Sequence, residues 1–182
     1  IGFPIIELAE KGFELTCSDG NDSMLEVFWQ RATEKGLAFP IIQARWSELP
    51  TKMTGTFDTV LCLDSSITYV DSWADPKHLD IATAKADILK SLQAFYEILT
   101  LGGHVVIGLA KYAFDQESEF VVDYGVKEIE NVPVHHVWRI RFDRQTNRKV
   151  WNLITEYGDK RDVKEFQSYL LSPEELQEML LA

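Results

Sequence analysis

Two nearly all-apolar runs, residues 57–63 (Phe-Asp-Thr-Val-Leu-Cys-Leu) and residues 104–109 (His-Val-Val-Ile-Gly-Leu), constrain the fold of this chain more than any other feature. A strand covered on one face alternates apolar and polar residues, whereas a strand covered on both faces reads as a continuous apolar run. Between the two runs, residues 81–99 set Ile88, Leu92, Phe95 and Leu99 along one helical face, and Gly102-Gly103 closes the segment. A buried strand, a crossover helix and a second buried strand predict a parallel sheet with right-handed connections, which is an α/β fold.

The same alternation starts near the first residue. Residues 4–11 predict a short helix with Pro4 in its first turn and Gly12 as its stop, and residues 13–17 a strand. Residues 22–35 predict a helix carrying Met24, Leu25, Phe28 and Ala32, with Asn21 or Asp22 as N-cap and Gly36 at its end, followed by a strand over residues 41–44. Beyond Tyr112 the pattern changes. Trp138, Ile140 and Phe142 alternate with Arg139 and Arg141, as in a half-buried antiparallel strand over residues 134–142, and residues 150–157 and 166–171 read as further strands. Ser172-Pro173-Glu174-Glu175 then opens a last helix with a Ser cap, Pro at its first position and Glu at its third. The expected organisation is a nucleotide-binding core over residues 1–111, an antiparallel β unit over 112–171 and the start of a returning core helix over 172–182.

The formal net charge of -11 repels polyanions, which argues against nucleic acid and acidic membrane surfaces and leaves a small molecule as the expected partner. No apolar run reaches the roughly 20 residues that cross a bilayer, and no basic-then-apolar leader stands at the start, so a cytoplasmic protein is expected. Cys17 and Cys62 lie in apolar strand-like runs with no second ligand pair beside them; they read as buried thiols in a reducing compartment, not as a disulfide or a metal site. The first residue is not Met, and the chain passes at once from Ile1-Gly2-Phe3-Pro4 into helix-like sequence, so an incomplete N-terminus is expected. The oligomeric state is left open, a homo-oligomer included.

A doubly wound sheet binds its nucleotide at the carboxyl ends of central strands, where a glycine-rich turn lets the backbone approach and an acid ending the next strand takes the ribose hydroxyls. A carboxylate suits that task because it only accepts hydrogen bonds. Gly2 fits the last glycine of such a turn and Asp19 the acid, and their separation of 17 residues is near the roughly 20 of this unit. NAD-binding domains share this geometry, and an Asp that ends a strand is as often a helix cap as a ligand.

Further segments extend the pattern: Glu10-Lys11-Gly12-Phe13, Ser18-Asp19, Ser23-Met24-Leu25, Ala44-Arg45-Trp46, residues 57–63, and residues 99–107 (Leu-Thr-Leu-Gly-Gly-His-Val-Val-Ile). In order and spacing this set resembles the small-molecule N-methyltransferases typified by glycine N-methyltransferase and the bacterial glycine/sarcosine methyltransferases, over roughly the first 110 residues. The resemblance implies a Rossmann-like class I methyltransferase sheet that binds S-adenosylmethionine (SAM) and releases S-adenosylhomocysteine. It implies that Asp19 grips the ribose, with Gly2 and Gly20 in the turns around the cofactor. Met24 would pack on the adenine ring, Arg45 and Trp46 would flank its edge, and Leu63 and Asp64 would lie beside the methionine part. Each has a plainer alternative: Met24 as core packing, Trp46 as a lid over the core, Asp64 as the cap of the turn through Ser65 or Ser66.

Residues 64–69 (Asp-Ser-Ser-Ile-Thr-Tyr) stand where the family carries a Gly-Asn-Ser run followed by His, so Ser65 and Tyr69 replace residues on the acceptor side. Where the family sets an arginine for the substrate carboxylate, this chain has Ala110, with Lys111 adjacent. Lysine lacks the planar fork of arginine. The family's first, glycine-rich strand is not in this sequence, so the centre of the sheet is expected to be absent. Ser65, Tyr69, Lys111 and Tyr112 are the expected acceptor-lining residues. The reaction implied is methyl transfer to a small-molecule amine, an amino acid or a related metabolite. It asks for alignment and exclusion of water more than for a general base, so no catalytic residue is singled out.

Two rivals stand beside it. A non-catalytic SAM-binding protein predicts binding without turnover, and a nicotinamide dehydrogenase predicts protection by NADH. His135-His136 point to opposite faces of a strand and make no two-ligand metal site. Arg139, Arg141, Arg144, Arg148 and Lys149 read as the solvated face of a hairpin.

Overall fold

The computed structural model describes residues 4–70, 79–109 and 119–181 of the chain. By internal packing it divides into two compact units, Ile1–Val60 with Lys90–Val105, and Leu61–Leu89 with Val106–Ala182. Among the described residues no helix is long and apolar enough to cross a membrane.

The first unit opens with α1 (Ile5–Glu10) and β1 (Cys17–Asp19). α2 (Asp22–Glu34) follows, and its N-cap is Asn21, whose side chain accepts the Met24 N–H. β2 (Ile41–Gln43) runs parallel to β1, with Cys17 opposite Ile41 and Asp19 opposite Gln43. The first strand therefore begins at Cys17, later than the expected residue 13. The ladder starts where the Cys17 N–H reaches the Pro40 carbonyl, 2.9 Å away, and Phe13 lies outside it, 60% exposed. A 3-10 turn (Trp46–Glu48) and α3 (Leu49–Lys52) follow. Phe28, Ala32, Ala44, Leu49 and Phe95 are among the buried apolar side chains of this unit's interior, and Phe28 meets the Phe39 ring at 5.7 Å.

β3 (Phe57–Cys62) and β4 (Leu99–Ile107) form a second two-stranded sheet, and α4 (Ile81–Glu97) is the helix between them. The expected α/β alternation is present, but the parallel sheet takes the form of separate pairs, β1–β2 and β3–β4. β3 has β4 as its one strand partner among the described residues, and the pair is not covered on both faces, since Leu61 is 38% exposed and Val106 of β4 46%. Gly102-Gly103 does not end the helix, as expected from sequence, because α4 stops at Glu97 and both glycines lie inside β4. Gly102 has a φ of 83°, and a Cβ on Gly103 would stand 3.0 Å from the Thr100 carbonyl and 3.2 Å from that of Asp58. The pair makes a close backbone approach that a side chain would block.

The second unit is built on a four-stranded antiparallel sheet in the order β5 (Glu119–Ile129), β6 (Val132–Asp143), β7 (Arg148–Tyr157), β8 (Lys160–Tyr169). Glu130 and Asn131 take φ of 51° and 63° between β5 and β6, as a two-residue type I′ turn requires. Between β6 and β7 the Asp143 carboxylate accepts the Gln145 and Thr146 N–H groups. Register sets Phe120, Ile140, Trp151 and Phe166 side by side across all four strands. Ile140, Phe142, Trp151 and Leu170 form a buried cluster on this face, with Tyr69, Phe120, Val122, Trp138 and Phe166 packed against it. Aromatic pairs of this kind add about 0.5–1.5 kcal/mol each beyond area burial. α5 (Pro173–Leu181) starts as its sequence predicts, with the Glu175 N–H donated to the Ser172 hydroxyl.

Candidate functional site

In the first unit the residues expected to hold a nucleotide meet at one end of the β1–β2 pair. Parallel pairing brings both carboxyl ends together, and the Ala44 N–H donates to the Asp19 carbonyl at 3.1 Å. A Cβ added to Gly20 would contact the Arg45 side chain at 3.6 Å, so the two turns abut. Asp19 is exposed. Its Oδ1 accepts the Asn21 N–H at 2.8 Å, and Asn21 in turn accepts the Met24 N–H at 3.1 Å. Of the two readings of Asp19, the helix-cap role belongs to Asn21; Asp19 orders the turn before it. Met24 is half-buried in the first turn of α2.

Arg45 precedes the 3-10 turn and its N–H donates to the Glu48 carboxylate at 2.9 Å, the main reason that the Glu48 pKa is lowered. Trp46 is half-buried, its ring 6.1 Å from that of Phe95 in an edge-on arrangement. Trp46 thus packs edge-on against the buried Phe95, and part of the indole stays accessible. Gly2 lies outside the described residues.

In the second unit Leu63, Asp64, Ser65 and Tyr69 form a locked bend after β3. Asp64 and Ser65 are consecutive residues with φ of 55° and 58°, a left-handed conformation that costs side-chain-bearing residues free energy and collects at functional sites. The bend is held from several sides. The Ser65 N–H donates to the Gly108 carbonyl at 2.8 Å, the Gly108 N–H to the Cys62 carbonyl at 2.9 Å, and the Ser66 hydroxyl to the Leu63 carbonyl. The Thr68 hydroxyl donates to the Ser65 carbonyl at 2.8 Å. Ser65 is buried at 8% exposure, and Asp64 is exposed.

Tyr69 ends the bend against the antiparallel sheet. Its oxygen accepts from Lys149 Nζ at 2.9 Å, and its ring meets Trp151 edge-on at 5.4 Å. Burial, and after it the charge of Asp64, raises the Tyr69 pKa, so the phenol stays protonated. Lys149 departs from the solvated hairpin face expected for it: its ammonium lies 5.3 Å from the Tyr69 ring centroid and 4.9 Å from that of Trp151. Lys111, Tyr112 and Ala110 lie outside the described residues.

Gly108 and Trp151 were not singled out by sequence reasoning, and Lys149 was read only as part of the hairpin's solvated face. An isolated glycine in a strand pattern is a recognised sign of close backbone approach, and that sign is present at Gly108. Lys149 and Tyr69 lie 80 residues apart and carry no local signal. Neither cysteine is a nucleophile: burial pushes Cys17 up to about 11 and Cys62 up to about 12, leaving both as thiols at neutral pH. His135 binds Asp123 and Glu156, while His136 turns to Thr155 on the other face. Among the described residues no cluster of three His, Cys, Asp or Glu side chains could hold a metal ion.

The chain is 27% identical over 126 residues to the glycine/sarcosine N-methyltransferase of Aphanothece halophytica, which covers 69% of this chain and 41% of that protein. It is 28% identical over 140 residues to the glycine/sarcosine N-methyltransferase of Parasynechococcus marenigrum (strain WH8102), covering 74% and 45%. The chain thus spans less than half the length of these curated relatives. A crystal structure of an S-adenosylmethionine-dependent methyltransferase from Clostridium acetobutylicum ATCC 824 superposes with a TM-score of 0.67 at 20% identity, over 96% of this chain and 65% of that one. A family model described as a methyltransferase domain matches residues 1–107, more than half of the chain, so the chain belongs to the methyltransferase-domain family.

Proposed function

We propose that this chain is part of a SAM-dependent methyltransferase that acts on a small-molecule amine. The observation that carries the reading is the meeting of the β1 and β2 carboxyl ends, where the exposed Asp19 carboxylate stands beside Gly20 and Arg45. A ribose with two vicinal hydroxyls needs an acceptor-only group at such a strand end, and one Asp19 oxygen stays outside the bond to Asn21. The shared N-methyltransferase naming of the relatives supports an amine acceptor.

In this reading Asp19, Gly20, Met24, Arg45 and Trp46 hold the adenosine part, with Gly2 completing the preceding turn. Leu63 and Asp64 receive the methionine part, the carboxylate suited to its ammonium group. SAM, when bound, would supply an electrophilic sulfonium methyl group for transfer to a neutral amine. Ser65, Tyr69, Lys111 and Tyr112 line the acceptor side, and the antiparallel strands exclude water from it. The two free thiols suit a reducing compartment, and we assign the protein to the cytoplasm.

Calorimetry with SAM and S-adenosylhomocysteine on the intact protein and on Asp19→Ala tests the reading. Loss of charge-assisted bonds to ribose should weaken binding by at least roughly 1.5 kcal/mol, about tenfold. Unchanged affinity would remove the nucleotide from this strand end. A screen of methyl transfer to amines then separates an enzyme from a protein that only binds the cofactor.

A further inference from the structure

We infer that Trp151 is a positioning residue: its contact with Tyr69 holds the Asp64–Ser65 bend in the conformation that receives the methionine part of SAM. This role deepens the methyltransferase reading and rests on it.

All the residues involved belong to the second unit. Asp64 and Ser65 are consecutive left-handed residues, and such a conformation persists only where the surrounding structure imposes it. One end of the bend is fixed by Gly108, whose carbonyl accepts the Ser65 N–H at 2.8 Å. The other end runs directly into a single 3-10 turn, Ser66–Tyr69. There the Ser66 N–H donates to the Leu63 carbonyl and the Thr68 N–H to the Ser65 carbonyl, both at 3.0 Å, and Ile67 and Thr68 are buried. One such turn makes too few bonds to stand alone, so its far end needs an anchor.

Trp151 supplies that anchor. The Tyr69 ring meets it edge-on at 5.4 Å, and the Lys149 ammonium lies 5.3 Å from the Tyr69 centroid and 4.9 Å from that of Trp151. Trp151 is itself fixed. It is 9% exposed, stacks on Phe166 with the ring planes 18° apart, and stands in register between Ile140 and Phe166 of the neighbouring strands. Aromatic pairs favour a defined geometry as well as burial, so a fixed ring against the last residue of the turn selects one conformation of it. Without the ring the bend relaxes towards ordinary backbone angles. A ligand that needs the strained conformation then binds in proportion to the fraction that retains it.

Calorimetry on the intact protein with S-adenosylhomocysteine and methylthioadenosine tests this role. Both probes carry the adenosine and the sulfur, and only the first carries the amino-acid tail assigned to Leu63 and Asp64. Trp151→Leu should weaken S-adenosylhomocysteine binding at least about fivefold and methylthioadenosine binding less than about twofold. Trp151→Phe, which keeps a ring, should hold both within about twofold. Tyr69→Leu should lower the same ratio, and the double variant Trp151→Leu/Tyr69→Leu should lose little more than either alone, since both remove one contact. A ratio unchanged in Trp151→Leu, an equal loss for both probes, additive losses in the double variant, or a wild type that binds the two probes equally overturns the inference. Where urea unfolding shows that Trp151→Leu has lost its fold, Tyr69→Leu alone decides by the same ratio. Wild-type protein that binds neither probe refutes the methyltransferase reading itself, a result distinct from all of these.

Discussion

Gly108 and Asp64 approach backbone to backbone: a Cβ at position 108 would stand 3.3 Å from the Asp64 nitrogen and 3.4 Å from Leu63 Cα. The same glycine donates to Cys62 and accepts from Ser65, so it clamps both sides of the left-handed bend. A methyl group here has no flexible side chain to displace, only backbone. Gly108→Ala should lower unfolding free energy by about 1–3 kcal/mol, the range for forcing extra volume into packed structure. Urea unfolding measures it. A variant as stable as the parent would show that the bend yields freely and is not held by this contact.

Asp19 and Asn21 divide two tasks that the sequence left joined. Asn21 caps α2 through the Met24 N–H, and replacing such a cap by alanine costs about 1 kcal/mol. Asp19 makes one exposed bond to the Asn21 N–H. Asn21→Ala should therefore lose more stability than Asp19→Ala, while SAM affinity should rank the two variants the other way. Urea unfolding paired with calorimetry gives both orders. Equal losses on both measures would reduce Asp19 to a turn residue.

Features set by neighbouring residues were legible in the sequence. Ser172-Pro173-Glu174-Glu175 contains its own cap and first-turn proline, and Trp138, Ile140 and Phe142 carry the period of a half-covered strand. Features set across the chain were not. β5 was missed because Gly125 and the exposed Lys127 and Glu128 break its alternation, and its pairing is dictated by β6, with a bulge between Asp123 and Val126. Gly102-Gly103 looked like a helix stop because glycine serves both ends and close approaches, and only the Asp58 carbonyl beside Gly103 distinguishes them. On the candidate site, the residues proposed for the adenosine part, from Asp19 to Trp46, stand close together in the sequence. The Lys149–Tyr69 bond exists only once the antiparallel sheet has formed.

Ser168 lies directly opposite Lys149 across β7 and β8, is 0% exposed, and its hydroxyl has no hydrogen-bond partner among the described residues. A buried hydroxyl without a partner carries a desolvation cost that a methyl group avoids. Ser168→Ala should thus leave stability unchanged or raise it by up to about 1 kcal/mol, read from the denaturant midpoint. A loss greater than that would mean the hydroxyl is bonded in solution, and this position would then join the polar groups on the Lys149 face.

His135 links three strands, with Nε2 2.8 Å from Asp123 and Nδ1 3.2 Å from Glu156. The bond to Asp123, and after it that to Glu156, raises the His135 pKa above its ordinary 6.5. A group whose folded pKa is raised contributes its full stability below the unfolded value and loses it as pH rises through the folded one. Asp123 is shifted the opposite way, by the Gly125 N–H first and His135 second, so its contribution is present above the unfolded carboxylate value and is lost as pH falls through the depressed one. Together they predict a plateau of stability between the two windows and a decline above it as the imidazolium deprotonates. His135→Gln should flatten the upper decline in urea midpoints measured from about pH 6 to about pH 9. Because the two carboxylates are largely exposed, added salt should shrink the difference between parent and variant. Parallel pH profiles for the two proteins would mean that the charged histidine contributes nothing to holding β5 on the sheet.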